Sequence, residues 1–335
     1  MKPQTTGTAD LGVAVFAQDR ASTEMGTGVM DAAAELGWRS RPVSAPDYRG
    51  ELTALIGLNC NRGLAKLLSA SRTPNRVVWF GEPLPSMAGP EDSPHVEARS
   101  RVFALGRQAV STLPRSRART VLGRLGGRMA DLEPWDNLRS ALQLGSVAES
   151  FAVTSRDSAA ILEAAGMPCR TVPFGYSPRQ HGALQLDGPR DLGTVVLGGF
   201  SGPRSRRRKR IVEDWKARGL QVTVVEGVWG DDRNSLLRRS RVVLQVHRFP
   251  GTFIGIRLVL ALAAGAVVVS EPMRDPYPFV PGIHFIEAPL DRLPEEARAL
   301  LADEPRRRRI AEAGQELLAG DLSMVRSLGR VLTPA

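Results

Sequence analysis

The chain has 335 residues, 42% hydrophobic and 24% charged. That is globular composition, long enough for two domains with a core each. Two cysteines, Cys60 and Cys169, stand without CxxC spacing, which excludes a disulfide framework or a zinc knuckle as the organising feature. Both are expected as buried apolar thiols. The longest apolar run, Leu258 to Val269, is interrupted by Gly265 and is too short to cross a bilayer. The N-terminus lacks the cationic flank and cleavage pattern of a secretory signal, so a cytoplasmic protein with no membrane span is expected. The net charge of +10 is concentrated in two runs, Arg206 to Arg210 and Arg306 to Arg309. A charge so localised does not by itself demand a polyanion-binding surface.

From the N-terminus, Leu11 to Ala17 is expected as a buried strand, Gln18 to Thr23 as a polar loop, and Val29 to Gly37 as a helix preceded by Gly26-Thr27-Gly28. A complete GxGxxG is absent. Gly26 is therefore a candidate ligand contact that equally suits a glycine packing helix on strand. Arg39 to Ser44 suggests a short strand, Glu51 to Ala70 carries a helical pattern, and Arg76 to Phe80 is a buried strand ending at Gly81-Glu82-Pro83. Pro83 to Pro94 is rich in Pro, Gly and Ser and is expected as a mobile loop. Ser146 to Val153 is expected as a strand, Asp157 to Ala165 as a helix capped by Thr154-Ser155, and Cys169 to Val172 as a short strand.

Pro178 to Asp191 lacks periodicity and is the best linker in the chain. The alternation then restarts. Strands are expected at Gly193 to Leu197, Gln221 to Val225, Val242 to Val246, Ala266 to Ser270 and His284 to Glu287. Helices are expected at Arg206 to Arg218, Ser235 to Ser240, beyond Pro250-Gly251, Asp291 to Leu301 and Pro305 to Leu318. The stretch from Arg241 to Pro281 is a complete βαβ unit with strands apolar on both faces. Ligands of such sheets sit beyond the carboxyl ends of the strands. The domains expected are 1–180, a linker at 181–192, and 193–321, with a helix in 322–335 that crosses back onto the first domain. Alternating strands and helices on both sides of the linker point to two Rossmann-like domains facing each other across a cleft.

Four stretches carry a family resemblance: TVVLGGFSGPRSRRRKRIVEDWKARG, VEGVWGDDRNSLLRRSRVVLQVHRFPG, IRLVLALAAGAVVVSEP and PFVPGIHFIEAPLDRLPEEARALLADEPRRRRIAEAGQELL. Together the chain resembles group 1 glycosyltransferases of α/β GT-B fold, in their spore-maturation-like variant. Residues 83–145 match nothing in that family. The resemblance implies a nucleoside-diphosphate sugar held by the second domain, a small-molecule or glycan acceptor held by the first, retention of anomeric configuration, and no metal or other cofactor.

Such a reaction needs cations and backbone N–H groups aimed at the phosphates of the leaving group. The candidates form two loops. One comprises Gly198, Gly199 and Phe200 with Arg204, Arg206, Arg207 and Lys209. The other comprises Thr252, Phe253, Ile254, Gly255 and Ile256, with Arg257 just inside the following helix. Successive residues on a helix point about 100° apart, so only one or two of the Arg206–Arg210 cations are expected to reach a ligand. His247 and Arg248 end a strand at the same edge, and Trp229 is a candidate lining of the base pocket. The family's two glutamates, eight residues apart, correspond here to Thr252 and Leu260. Glu271 is the nearest spare carboxylate. Glu82 and Asp19 are the candidate bases toward an acceptor hydroxyl.

The missing glutamates also suit a non-catalytic binding protein on the same fold. The arginine run suits a nucleic-acid binder less well, because no aromatic residues interleave with it.

Overall fold

A computed structural model describes residues 9–15, 20–58, 63–85, 133–199, 205–253 and 255–333. The chain divides into two compact units, Met1–Glu82 with Ser140–Gln180 and Gly320–Ala335, and Pro83–Arg139 with His181–Ala319.

The first unit holds β1 (Asp10–Ala14), α1 (Arg20–Glu35), β2 (Arg39–Val43), β3 (Ala54–Leu58), α2 (Leu64–Ala70) and β4 (Asn75–Phe80). After α3 (Glu133–Gly145), within which the boundary between the units falls, come β5 (Ser150–Val153), α4 (Arg156–Ala164), β6 (Arg170–Thr171) and the single turn α5 (Pro178–His181). Its six strands run parallel in the order β2-β1-β3-β4-β5-β6. The helical reading of Glu51 to Ala70 is corrected: every residue of β3 is buried. A strand covered on both faces carries no period-2 signal, and only seven residues of helix follow it. The polar loop expected up to Thr23 is also shorter, because α1 begins at Arg20.

Trp79 anchors the core of this unit: fully buried, it donates from Nε1 to the Val172 carbonyl at 2.7 Å and packs on Phe174 with ring centroids 4.7 Å apart. The last helix, α11 (Met324–Leu332), belongs to this unit. The backbone of Tyr176 exchanges hydrogen bonds with Leu322 and Met324, both at 2.7 Å, and Arg170 donates to the carbonyls of Arg330, Val331 and Thr333. Those carbonyls are the ones a helix end leaves open.

The second unit contains β7 (Leu192–Leu197), α6 (Arg206–Ala217), β8 (Val222–Val225), α7 (Gly230–Arg238), β9 (Ser240–Gln245), α8 (Gly255–Ala263), β10 (Val267–Ser270), β11 (Ile286–Glu287), α9 (Leu293–Ala302) and α10 (Glu304–Ala319). Its sheet is parallel throughout, in the order β11-β10-β9-β7-β8. The helix expected over Ser235 to Ser240 in fact starts at Gly230, with Asp231 and Asp232 in its first turn, where they suit the helix dipole. His284 lies before the last strand and accepts the Val280 N–H on Nδ1 at 2.9 Å. Arg190 ties the segment after residue 181 to the sheet, donating to the carbonyls of Ser240 (2.8 Å), Ala264 (3.0 Å), Arg238 (3.1 Å), Leu186 (3.3 Å) and Gln185 (3.4 Å).

Candidate anion-binding site

In the second unit, β7, β9 and β10 end side by side, and the helices after β7 and β9 bring their first turns to the same edge. On α6 the buried positions are Arg208, Ile211, Val212 and Trp215, a set spaced for one helix face. That spacing turns Arg208 inward at 5% exposure. Its Nε donates to the Val246 carbonyl at 2.9 Å. Gly198 lies against both this guanidinium and that of Arg257. A Cβ at Gly198 would meet Nη1 of Arg208 and Nη2 of Arg257, each at 3.1 Å. Its φ of +137° independently favours glycine.

Among the described residues, neither Arg208 nor Arg257 has a carboxylate within ion-pair distance. Burial pushes Arg257 down to about 9, with the like charges of Arg208 and Arg248 adding to the effect. Burial likewise pushes Arg208 down to about 10, with Arg207 contributing and Glu271 opposing. Two cations are thus held where their charge is costly until an anion arrives.

Glu271 is not spare. At 5% exposure it accepts from Arg207 at both oxygens, at 2.7 and 2.6 Å, and from the backbone N–H of His247 at 2.5 Å. Arg207 also donates to the His247 carbonyl at 2.7 Å. The carboxylate expected to contact a ligand instead fixes the β9 and β10 ends to α6.

His247 is fully buried, so it supports the site from below rather than lining it. Ser270 donates its proton to the Glu271 carbonyl at 2.8 Å. Both the Ser270 hydroxyl oxygen (3.1 Å) and the Gln245 side-chain amide nitrogen (3.3 Å) stand at His247 Nε2, while the buried Nδ1 makes no hydrogen bond among the described residues and lies 4.0 Å from Glu271. Burial, aided by Arg207, Arg257 and Arg208 against the opposing Glu271, pushes the imidazole from 6.5 down to about 4. A folded-state value below the unfolded one means that the unfolded chain takes up the proton first. Stability is therefore expected to be level above pH 6.5 and to fall between 6.5 and 4, by at most about 1.4 kcal/mol per pH unit from this group. His284 adds a shift of the same direction, also from burial. Urea unfolding at pH 7.5, 6 and 5 measures the slope, and His247→Gln is expected to flatten it. A variant slope equal to that of the unmodified protein rejects the assignment.

The remaining expected residues separate clearly. Arg206 and Lys209 are exposed, and Lys209 faces Glu213 at 3.8 Å. Arg208, which the sequence reading left out, holds the inward place. Its signal was present in the spacing to Ile211, Val212 and Trp215. Thr252 is buried with its hydroxyl donated to the Phe249 carbonyl at 2.7 Å. A Cβ on Gly255 would meet the Phe253 ring at 2.4 Å, so this glycine makes room for an aromatic side chain, which lies 6.2 Å from Phe279. Ile256 is partly buried on the first turn of α8, and Gly199 is exposed beside Gly198. Trp229 is 40% exposed at the N-terminal end of α7, not buried.

Gly26 is a packing glycine in the middle of α1, where a Cβ would meet Val15 at 2.9 Å. This corrects its reading as a ligand contact in a loop. Glu82 follows β4 and is partly buried. Asp19, Phe200, Arg204, Ile254 and Cys60 lie outside the described residues, as does most of the loop expected over Pro83 to Pro94. Cys169 is only partly buried, with its thiol pushed up to about 11 by burial and then by Glu163. Among the described residues, no helix is long and apolar enough to cross a membrane.

Residues 191–332 match a family model described as "Glycosyl transferase-like". Among solved structures, the chain is similar to HepE of Anabaena in complex with UDP-glucose, at 10% identity and a TM-score of 0.59 over 96% of this chain and 98% of that one. It is also similar to a glycosyltransferase of Rickettsia africae (9%, TM-score 0.55, 96% of each chain). A third likeness is to AviGT4, a glycosyltransferase involved in avilamycin A biosynthesis (12%, TM-score 0.54, 98% of this chain and 99% of that one). At such identities the likeness establishes the fold, an α/β GT-B fold of two Rossmann-like domains. An uncharacterized protein, L138 of Acanthamoeba polyphaga mimivirus, is 30% identical over 80 residues, which span 23% of this chain and 9% of the viral protein.

Proposed function

We propose that this chain is a glycosyltransferase, of hexosyltransferase type, that moves a sugar from a nucleoside-diphosphate donor bound by the second unit to a small-molecule or glycan acceptor bound by the first. The observation that carries the proposal is the pair of guanidinium groups, Arg208 and Arg257, held against Gly198 at the strand ends with no carboxylate partner among the described residues. As a glycosidic bond to a diphosphate breaks, negative charge grows on the leaving phosphate. Preorganised cations in a poorly solvated setting stabilise that charge more than they stabilise the neutral sugar. Two such groups suit the two phosphates. The family match over 191–332 and the UDP and UDP-glucose complexes of the similar HepE support this reading. The finer assignment to the spore-maturation-like variant rests on the four stretches quoted above. With arginines at the phosphates, transfer is proposed to be metal-independent, and retention of configuration and a cytoplasmic site of action are proposed with it. Glu82 is the candidate base toward the acceptor.

A thermal-shift screen of nucleoside diphosphates, their sugars and inorganic pyrophosphate, with and without a chelator, tests the donor site. A ligand at 100 times its Kd is expected to stabilise the fold by about 2.7 kcal/mol. The absence of any shift would sink the proposal. Loss of the shift on chelation would remove its metal-independent part.

One observation favours a second reading, a binding protein without catalysis. Leu260 is buried in the core-facing side of α8, and Thr252 has its hydroxyl engaged, so neither position supplies a carboxylate to a ribose. Donor hydrolysis or transfer by the purified protein decides between the two readings.

A further inference from the structure

The cation cluster extends beyond the two unpaired arginines. Arg248, three residues past β9, forms an ion pair with Glu133, the first residue of α3, and both side chains are largely buried, at 22% and 13% exposure. Arg248 belongs electrostatically to the site, since its charge is among those that depress Arg257. It also leaves from the same stretch of backbone that the other arginines grip. Arg208 holds the Val246 carbonyl and Arg207 holds that of His247. Among the described residues, two of these four arginines pair with a carboxylate, Arg207 with Glu271 and Arg248 with Glu133.

Those two carboxylates are built differently. Glu271 is held from three sides by two guanidinium nitrogens and a backbone N–H, all at 2.7 Å or less. It is part of the frame. Glu133 reaches the cluster from the first turn of a helix, where its Oε2 meets Arg248 Nη2, a charge-assisted contact of the kind a phosphate oxygen would also make.

We propose that Glu133 is a resident counterion of Arg248, displaced when a phosphate of the donor arrives. The inference rests on the donor-site reading above and extends it. Arg248 becomes a third phosphate-binding arginine, neutralised while the site is empty. Glu133 then weakens the site for pyrophosphate-bearing ligands, because each binding event must break an existing ion pair. Removing the competing charge is expected to strengthen binding, the reverse of what removing a structural ion-pair partner does.

Calorimetric titration with inorganic pyrophosphate provides the test, on the full chain and three variants. Glu133→Gln is expected to tighten binding about tenfold, and Glu133→Asp, which keeps the charge but withdraws it by one methylene, to tighten it by a smaller factor. The double variant Glu133→Gln with Arg248→Ala is expected to lose that gain. Unchanged or weaker binding by Glu133→Gln and Glu133→Asp, with the unmodified protein binding normally, overturns the counterion inference and leaves the donor site standing. If the unmodified protein and both single variants all fail to bind pyrophosphate, the donor site itself is overturned and this inference with it.

Discussion

Arg257→Met is expected to raise the stability of the ligand-free protein while abolishing its thermal response to pyrophosphate and nucleoside diphosphates. Arg257 is held well below the ordinary arginine value, at about 9, first by burial and then by Arg208 and Arg248. A cation with a lowered folded-state value destabilises the fold while it is charged. That penalty is full below pH 9 and fades as pH rises through 9 toward the ordinary arginine value. Methionine keeps much of the volume on α8 without the charge. Exchanging a buried ion pair for packed apolar side chains typically gains on the order of 1–4 kcal/mol, and removing one unpaired, partly buried charge acts in the same direction. The same change removes one of two cations from the proposed diphosphate contact, so affinity is expected to fall about 100-fold or more, in the range found for truncated charge-assisted contacts. Melting curves with and without pyrophosphate check both halves together. A variant that melts lower and still responds to pyrophosphate would show that Arg257 is structural.

Glu271→Gln is expected to have the opposite sign. The substitution leaves Arg207 without its bidentate partner and strips the His247 N–H of a charged acceptor. It also removes the carboxylate that opposes the depression of Arg208 and His247. Breaking a buried pair from one side costs about 3–5 kcal/mol. Denaturant unfolding is expected to show a loss of that size, with pyrophosphate recovering part of it by replacing the missing negative charge. A ligand-binding carboxylate, by contrast, would be removed with little effect on the empty protein. A loss under 1 kcal/mol would return Glu271 to that role.

The two predictions separate residues that look alike in the sequence. Glu271 was legible as a carboxylate at a strand end, the place where ligands of such sheets sit, but its bonding partners are Arg207 on α6 and the His247 N–H just past β9. Trp229 sits between two glycines with positive φ, Gly227 and Gly230, and nothing in that spacing distinguishes an exposed indole from a buried one. Gly26 shows the same limit. A glycine near a helix start serves either a phosphate or a close helix–strand approach, and Val15, 11 residues away in the chain, decided for packing. The missed strand β3 has a different cause. Leucine, isoleucine and alanine suit a helix or a doubly covered strand alike, and the pairing of Ala54–Leu58 with β1 and β4 made the choice.

The α/β alternation, the parallel character of the second sheet, the βαβ unit around α8 and the presence of threonine and leucine at 252 and 260 are properties of the linear order. They depend on local periodicity, on turn residues and on residue identity, all of which can be read along the chain. Which cation faces an anion is a different kind of quantity. The run at 206–210 offers five, and the apolar residues that follow on α6 turn one inward. Whether that inward arginine is neutralised depends on where distant carboxylates fall, and Glu271 goes to its neighbour Arg207, 64 residues away in the chain, while Glu133 goes to Arg248. Burial and charge pairing are sums over neighbours in space, so only the folded chain could set Arg208, buried, and Arg257, partly buried, against Gly198 with no carboxylate partner among the described residues.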